Sequence, residues 1–269
     1  LIGTYGFNLF FISLFASPAI FILKKKKKDI GVCVIFLILP FLFYSYGSFY
    51  KKKFSSSEVT NYDYKIRAIG SNISLDRFYS NIDPISVIRE LIDISKPQKN
   101  DKTIFIWPEG ILPNVSQDEL IEYKWLFENT FSKNHFLFIG INSQKMIKEK
   151  INYFNSLSIY DHNLNILNFY NKINLVPFGE FLPFENFLKN FGLSVITNNY
   201  QSFSNGKERK IIEIKRDDFS LKILPLICYE VIYSGKIFKN PSFDLIINIS
   251  EDGWFGESIG PKQHFTHSI

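Results

Sequence analysis

Two stretches near the start of the chain carry no charge: Leu1 to Leu23 and Ile30 to Tyr50. A helix rises ~1.5 Å per residue, so ~20 residues cross the ~30 Å hydrocarbon core of a bilayer. Both runs are long enough, and together they predict a hairpin of two transmembrane helices. The first run lacks the basic start and small-residue cleavage site of a signal peptide. Two core helices of a soluble protein are the alternative, but the Lys24 to Lys28 run between them would be hard to bury. That short loop is expected on the cytoplasmic side. Everything after Tyr50 then lies on the far face, which in a bacterium is the periplasm or cell exterior. Lys51 to Lys53 oppose this orientation weakly, and long domains translocate largely regardless of charge.

Residues 54–64 are polar and read as a linker, leaving residues 1–53 as the membrane segment and 65–269 as a separate domain. From Lys65 the pattern changes to short β-rich runs between helical stretches. Strands are expected at Ile66–Ile73, Thr103–Trp107, Phe136–Ile141, Tyr153–Tyr160, Ile166–Tyr170, Lys210–Ile214, Leu221–Ile227 and Leu245–Ile249. Helices are expected at Asp83–Ile94, with Pro84 near its start, and at Glu119–Ser132. Strands alternating with helices, with some hairpin pairing, indicate an α/β layered domain. The chain opens on Leu1 inside an apolar run and stops soon after a dense polar motif. A piece cut at both ends is therefore expected.

Composition adds two exclusions. Hydrophobic residues make up 46% and include 29 Phe, which rules out general disorder. The net charge of +5 depends on the two Lys clusters, and without those eight lysines the chain is slightly acidic. A nucleic-acid surface would need basic residues spread along a face. Two cysteines are too few for a disulfide framework. Cys33 sits in an apolar run and reads as a small buried hydrophobe, which leaves Cys228 as a free thiol.

Candidate chemistry gathers where apolar strands run into turns. Thr103–Trp107 leads into Pro108-Glu109-Gly110, a rigid turn that would hold Glu109 at a sheet rim, as suits a general base. Tyr170-Asn-Lys172 precedes Val176-Pro-Phe-Gly-Glu180. A lysine so placed can stabilise negative charge developing on a carbonyl. Leu221–Ile227 ends at Cys228, followed by Tyr229 and Glu230, and a nucleophile at a strand end is exposed while its backbone stays rigid. Alone, each has a plain structural reading: a solvated turn Glu, a surface Lys, a buried Cys. Together they occur in the order Glu, Lys, Cys, each at a strand end.

This order resembles the nitrilase, or carbon–nitrogen hydrolase, superfamily, whose members carry a Glu–Lys–Cys triad on an αββα sandwich. Asn248-Ile-Ser-Glu-Asp-Gly-Trp-Phe-Gly256 matches that superfamily's strand after the nucleophile. The closer resemblance is to the bacterial apolipoprotein N-acyltransferase family. It rests on Trp107-Pro-Glu-Gly110, Asn171 to Glu180, Ile227-Cys-Tyr-Glu230, Asp252-Gly-Trp-Phe-Gly256 and Ser258-Ile-Gly-Pro-Lys-Gln-His264. Members place transmembrane helices directly before a periplasmic nitrilase-like domain, whereas soluble nitrilases lack them. Gly110 stands where the family more often has Ser. Glu251 stands where it usually has Asn, a change that could alter charge around the pocket.

The resemblance implies a ping-pong reaction in the inner membrane: Glu109 as base, Lys172 as oxyanion stabiliser and Cys228 as acyl-accepting nucleophile. The acyl donor would be a membrane phospholipid, and the acceptor the α-amino group of a diacylglyceryl-cysteine at an apolipoprotein's N-terminus. It also implies that Glu180 supports the site and that Tyr229 and Glu230 shape the pocket. Trp254 and Phe255 are candidate lipid contacts, with ordinary packing as the alternative. Phe178, Phe181, Phe184 and Phe187 could line a mouth opening to the bilayer. A tethered amidase or nitrilase that resolves the acyl-enzyme with water would share the triad, and a non-enzymatic scaffold is a further alternative. No cofactor, metal or nucleic acid is implied. His135, His162, His264 and His267 lack the spacing of a metal site, and no Gly-rich phosphate loop occurs.

Overall fold

A computed structural model describes residues 3–23, 26–56, 62–80, 82–184, 202–217, 219–233 and 242–268. It divides into two compact units, Leu1–Tyr62 and Asp63–Ile269. In the first unit the opening apolar run forms two helices, α1 (Gly3–Ala16) and α2 (Ala19–Leu23), rather than one. The break falls at Ser17-Pro18. Pro18 has no N–H to donate, and its ring crowds the carbonyl one turn back. Ser17 fills that gap, its hydroxyl donating to the Leu14 carbonyl at 2.9 Å. At 14 residues α1 is short of a bilayer's thickness.

The second run forms α3 (Lys27–Ser55), a 29-residue helix longer than its apolar stretch because the flanking lysines extend it. Among the described residues it is the one helix long and apolar enough to cross a membrane. Phe10 packs on Phe36 and Phe43 of α3, with ring centroids 6.3 and 5.1 Å apart. Cys33 is a fully buried free thiol, as its apolar setting predicts. Lys24 and Lys25 lie outside the described residues.

The second unit is α/β. Its larger sheet has the order β1 (Lys65–Ala68), β2 (Thr103–Trp107), β3 (His135–Ile147), β4 (Lys150–Tyr160) and β5 (Ile166–Asn171). The first three strands run parallel, and β3–β4–β5 is an antiparallel meander. The smaller sheet pairs β6 (Ile212–Arg216) with β7 (Phe219–Ile227) antiparallel, and β7 with β8 (Leu245–Ile249) parallel. One core lies between α4 (Pro84–Ser95) and the larger sheet, built on Ile88, Leu91, Phe105, Trp107 and Leu137. The other lies between the two sheets, where Ile104, Phe138, Leu157 and Ile159 meet Ile214, Leu221, Ile223 and Ile247.

Most elements form where the alternation places them. Asp83 caps α4 by accepting from Ile85 N–H at 3.1 Å, and Pro84 takes the first turn, where its missing N–H costs nothing. Three differences stand out, two of them with local causes. The expected helix Glu119–Ser132 contracts to a 3-10 turn (Glu119–Tyr123) and a short α5 (Lys124–Phe127), because Asn129 and Thr130 are weak helix formers. Strand β1 stops at Ala68, and Leu75–Phe78 forms a 3-10 turn. The β3–β4 hairpin runs further than its apolar core because Lys148 and Glu149 both adopt positive φ, the geometry of a tight two-residue turn. A final helix, α6 (Gly260–Ser268), carries His264.

Candidate active site

Strand β2 delivers Glu109 into a buried position just past Trp107. The turn can form only because β3 presents Gly140 beneath it. A Cβ there would stand 2.2 Å from the Pro108 carbonyl oxygen. Gly110, at φ 57, takes the left-handed conformation that ends the turn. The departure from Ser at this position thus has a backbone reason.

Three donors hold Glu109. Lys172 Nζ and Asn155 Nδ2 reach its Oε1 at 3.1 and 2.7 Å, and the Glu251 backbone N–H reaches Oε2 at 3.1 Å. Lys172 follows β5, and its side chain is 1% exposed. Its ammonium also donates to Glu180 Oε1 at 3.0 Å, and Asn155 Nδ2 donates to the same oxygen at 2.7 Å. Glu180 Oε2 accepts the Val176 N–H at 2.9 Å, which closes the Val-Pro-Phe-Gly-Glu loop on itself. One buried ammonium therefore sits between two carboxylates. Burial alone would lower the Lys172 pKa, but the charges of Glu109 and Glu180 overcome it and raise it. Lys172 is held as a cation.

Cys228 ends β7 and opens a 3-10 turn (Cys228–Ile232) with φ 53, a left-handed backbone for a residue with a Cβ. Such conformations cost about 1–2 kcal/mol and persist where the surroundings impose them. Its thiol is buried, and burial followed by the Glu109 charge pushes its pKa up to about 12. Lys172, the Ser250 hydroxyl and a hydrogen bond from the Tyr229 backbone act in the opposite direction. Burial and the Glu109 charge favour the neutral thiol, and the Lys172 charge opposes them. The structure thus brings Glu109, Lys172, Glu180 and Cys228 together.

Other expected site residues lie further from this centre. Glu230 is fully buried, and its hydrogen bonds go to other groups. It accepts from Tyr170 Oη at 2.8 and 2.9 Å and from the backbone N–H groups of Ile173, Asn174 and Ile227 at 2.9, 3.0 and 3.0 Å. Arg209 adds an ion pair at 2.7 Å. Glu230 therefore straps the Cys228 turn to the segment after Lys172. Tyr229 lies flat on His264, with ring centroids 5.1 Å apart and planes 13° apart, and Phe255 flanks both. Trp254 is half exposed and packs on Phe78 at 4.7 Å. Phe178 and Phe184 are exposed, Phe181 is half-buried, and Phe187 lies outside the described residues. Among the described residues no cluster of His, Cys, Asp and Glu could hold a metal ion.

Two contributors had little signal in the sequence. Asn155 bridges both carboxylates; its only mark was a polar side chain inside the largely apolar strand β4. Arg77 is buried, ion-paired with Glu251, and bonded to the Ile73 and Ser74 carbonyls at 2.9 and 3.0 Å. It answers the expectation about Glu251: the added carboxylate is neutralised by Arg77, while the Glu251 backbone serves Glu109.

The carbon-nitrogen hydrolase family model matches residues 87–268. Among curated proteins, the apolipoprotein N-acyltransferase of Wigglesworthia glossinidia brevipalpis is 32% identical over 98% of this chain and 51% of its own length. That of Bradyrhizobium diazoefficiens is 29% identical over 98% of this chain and 50% of its own. The chain spans about half the length of these relatives. Among solved structures, a carbon-nitrogen hydrolase from Helicobacter pylori G27 aligns with 75% of this chain and 65% of its own at 15% identity and a TM-score of 0.47. With the family model covering about two thirds of the chain, including the strand ends that carry Glu109, Lys172 and Cys228, the chain belongs to the carbon-nitrogen hydrolase family.

Proposed function

We propose that this chain carries the catalytic part of an apolipoprotein N-acyltransferase, with Glu109, Lys172 and Cys228 as its triad. One observation carries the reading: three residues far apart in sequence converge in one buried site, in a chain aligned over nearly its whole length with enzymes of that name. Glu109 takes the Cys228 proton as the sulfur attacks the ester carbonyl of a phospholipid. Lys172 balances the tetrahedral oxyanion. Collapse breaks the carbon–oxygen bond, and the lysophospholipid alkoxide leaves with the proton held by Glu109. The α-amine of a diacylglyceryl-cysteine then attacks the thioester, gives up a proton to Glu109, and releases Cys228 as a thiol. A thioester suits this role, being reactive towards amines and separable from the donor.

The lipid substrates favour a membrane-held enzyme. Extracting an acyl chain costs ~0.8 kcal/mol per CH₂, and a site at the bilayer surface avoids this. Helix α3 supplies a span of sufficient length. The Lys-rich run before it supports a cytoplasmic loop under the positive-inside rule, and with it a catalytic domain on the periplasmic side of the inner membrane. Trp254, Phe178 and Phe184 are exposed apolar groups available to lipid, and Glu180 supports the site through Lys172.

The test is to incubate the full-length protein with labelled phospholipid and a diacylated lipopeptide, and to weigh the Cys228 peptide. An acyl-mass gain on Cys228, followed by N-acylated peptide, is expected. Free fatty acid without N-acylated peptide would replace this reading with a tethered hydrolase, and cellular function intact in Cys228→Ala, with no acyl gain on the wild-type cysteine, would leave only a scaffold.

A further inference from the structure

The β3–β4 hairpin runs well past the sheet that holds it, and its tip has no task in the steps above. Strand β3 runs parallel to β2, and Trp107 at the end of β2 pairs with Ile139. Strand β5 pairs with β4 no further out than Ser156. The hairpin itself continues in register to Ile147 and Lys150. From Ile139 to Ile147, at ~3.3 Å per residue, the chain advances roughly 25 Å. The tip therefore projects from the same end of the sheet as Glu109. Lys148 and Glu149, both at positive φ, close it in a tight two-residue turn.

This tip is apolar where a water-facing turn would be polar. Met146 is 71% exposed, Ile151 53% and Ile147 38%. Met146 and Ile151 face each other across the strands, and Ile147, next along β3, points to the opposite face. One exposed apolar side chain is ordinary, but a cluster on both faces of a projecting tip is not. Docking against a protein surface needs one apolar face, whereas an end that enters an apolar layer needs both. Lys145, Lys148 and Lys150 surround the cluster, with Glu149 the one acid among them, and none of these lysines has an ion pair among the described residues. Apolar side chains ringed by free ammonium groups match the boundary of a bilayer, where the chains enter between head groups and the ammonium groups donate to phosphates. The face that carries Met146 and Ile151 also leads back to the site. The pairs next inward on it are Gln144 with Tyr153 and Asn142 with Asn155, and Asn155 donates to Glu109.

We propose that the β3–β4 tip docks on the lipid bilayer: Met146, Ile147 and Ile151 enter the head-group boundary, and Lys145, Lys148 and Lys150 hold the phosphates of anionic phospholipid. Docked in this way, the hairpin sets the height of the site above the lipid surface and offers its inner face as the approach to Glu109. The inference deepens the acyltransferase reading, on which it rests, by naming an element that meets the surface of the donor lipid.

The test places the full-length protein, its own cysteines replaced, in nanodiscs that contain phosphatidylglycerol. Met146→Cys carries an environment-sensitive fluorophore, and spin-labelled phospholipid is the quencher. Quenching at Met146→Cys is expected, and it should weaken when phosphatidylcholine replaces phosphatidylglycerol. The control is Lys215→Cys, an exposed position on β6 near the start of β7 and so at the far end of that strand from Cys228; it should not be quenched. A Met146→Cys label that lipid does not quench overturns the proposal, including one whose emission shows it covered by another part of the protein. Quenching that ignores phosphatidylglycerol content overturns the role of the lysines. With the native cysteines in place, Met146→Glu combined with Ile151→Glu should slow acylation of Cys228 by bilayer phospholipid roughly tenfold, because carboxylates are repelled from an anionic apolar boundary. Alkylation of Cys228 by iodoacetamide, a soluble probe, should stay within about twofold of wild type. Equal losses in both reactions would mean that the tip shapes the site and does not dock it. If wild-type Cys228 never takes an acyl group, the acyltransferase reading fails, and the quenching still decides whether the tip enters lipid.

Discussion

Glu109 and Glu230 are both buried carboxylates beside strand ends of the same unit, yet their surroundings set them to opposite tasks. Five donors close around Glu230: a phenol, three backbone N–H groups and Arg209, whose charge balances it one to one. Nothing in that shell can exchange a proton without loss. The Tyr170 phenol beside it is itself held protonated, its pKa raised by burial and by the Glu230 charge. Glu109 also has three donors, but its ammonium is shared with Glu180, so two carboxylates face one cation. That leaves Glu109 without a charge partner of its own. A saturated carboxylate is a fastener, and the under-compensated Glu109 is the one we propose as the base.

Exchanging charge for neutrality at each site breaks this contrast most sharply. Glu109→Gln keeps the shape and removes the base, and should slow Cys228 acylation on the order of 10³-fold. The chemical-denaturation midpoint should hardly move, because the substitution relieves a carboxylate excess. Glu230→Gln should do the reverse. It strands Arg209 in a dry site, and breaking one half of a buried pair costs about 3–5 kcal/mol. Urea unfolding should show that loss, while acylation per folded molecule stays within about tenfold of wild type. Equal stability losses in the two variants would remove the distinction.

The Arg77–Glu251 pair offers a smaller version of the same test. Arg77 is 1% exposed and Glu251 15%, so the pair is less deeply buried than Arg209–Glu230. Glu251→Gln should cost about 1–3 kcal/mol, as expected when a buried cation loses its charged acceptor. The double variant Arg77→Met with Glu251→Asn should recover much of it, since replacing both partners is far milder than removing one. The Glu251 backbone N–H remains in every variant, so acylation should fall less than tenfold. A large activity loss in the double variant would show that the pair, and not only the backbone, orients Glu109.

These contrasts mark what was readable in the residues alone. Thr103–Trp107, Leu245–Ile249 and the capped Asp83–Ile94 segment follow from local alternation and turn chemistry, and the structure reproduces them closely. Glu109, Lys172 and Cys228 were legible because each ends an apolar strand. Glu180 and Glu230 were legible only as members of motifs, and their different duties were not. Whether a carboxylate meets a shared ammonium or a closed shell depends on residues 21 to 63 positions away. Asn155 and Arg77 were invisible for the same reason. The long hairpin was missed because its tip alternates poorly and depends on two positive-φ residues, neither of them glycine. The first apolar run is two helices rather than one because Pro18 interrupts it, an effect that length and apolarity do not carry.

The mildest test concerns the turn that carries Glu109. Gly110 adopts φ 57, and a Cβ there would meet only the Phe78 ring at 3.5 Å, an ordinary contact. Gly110→Ser should therefore cost the backbone strain alone, about 1 kcal/mol. If three hydrogen bonds aim Glu109, that strain should be taken up within the turn, leaving acylation within about threefold of wild type. The control is Gly140→Ala, whose methyl would collide with the Pro108 carbonyl and push the Glu109 backbone bodily; it should lose both stability and activity. A Gly110→Ser variant as slow as Glu109→Gln would mean that the turn, rather than Lys172, Asn155 and the Glu251 N–H, decides where the base points. The contrast with Glu230, whose five donors fix it whatever its turn does, would then rest on geometry as much as on charge.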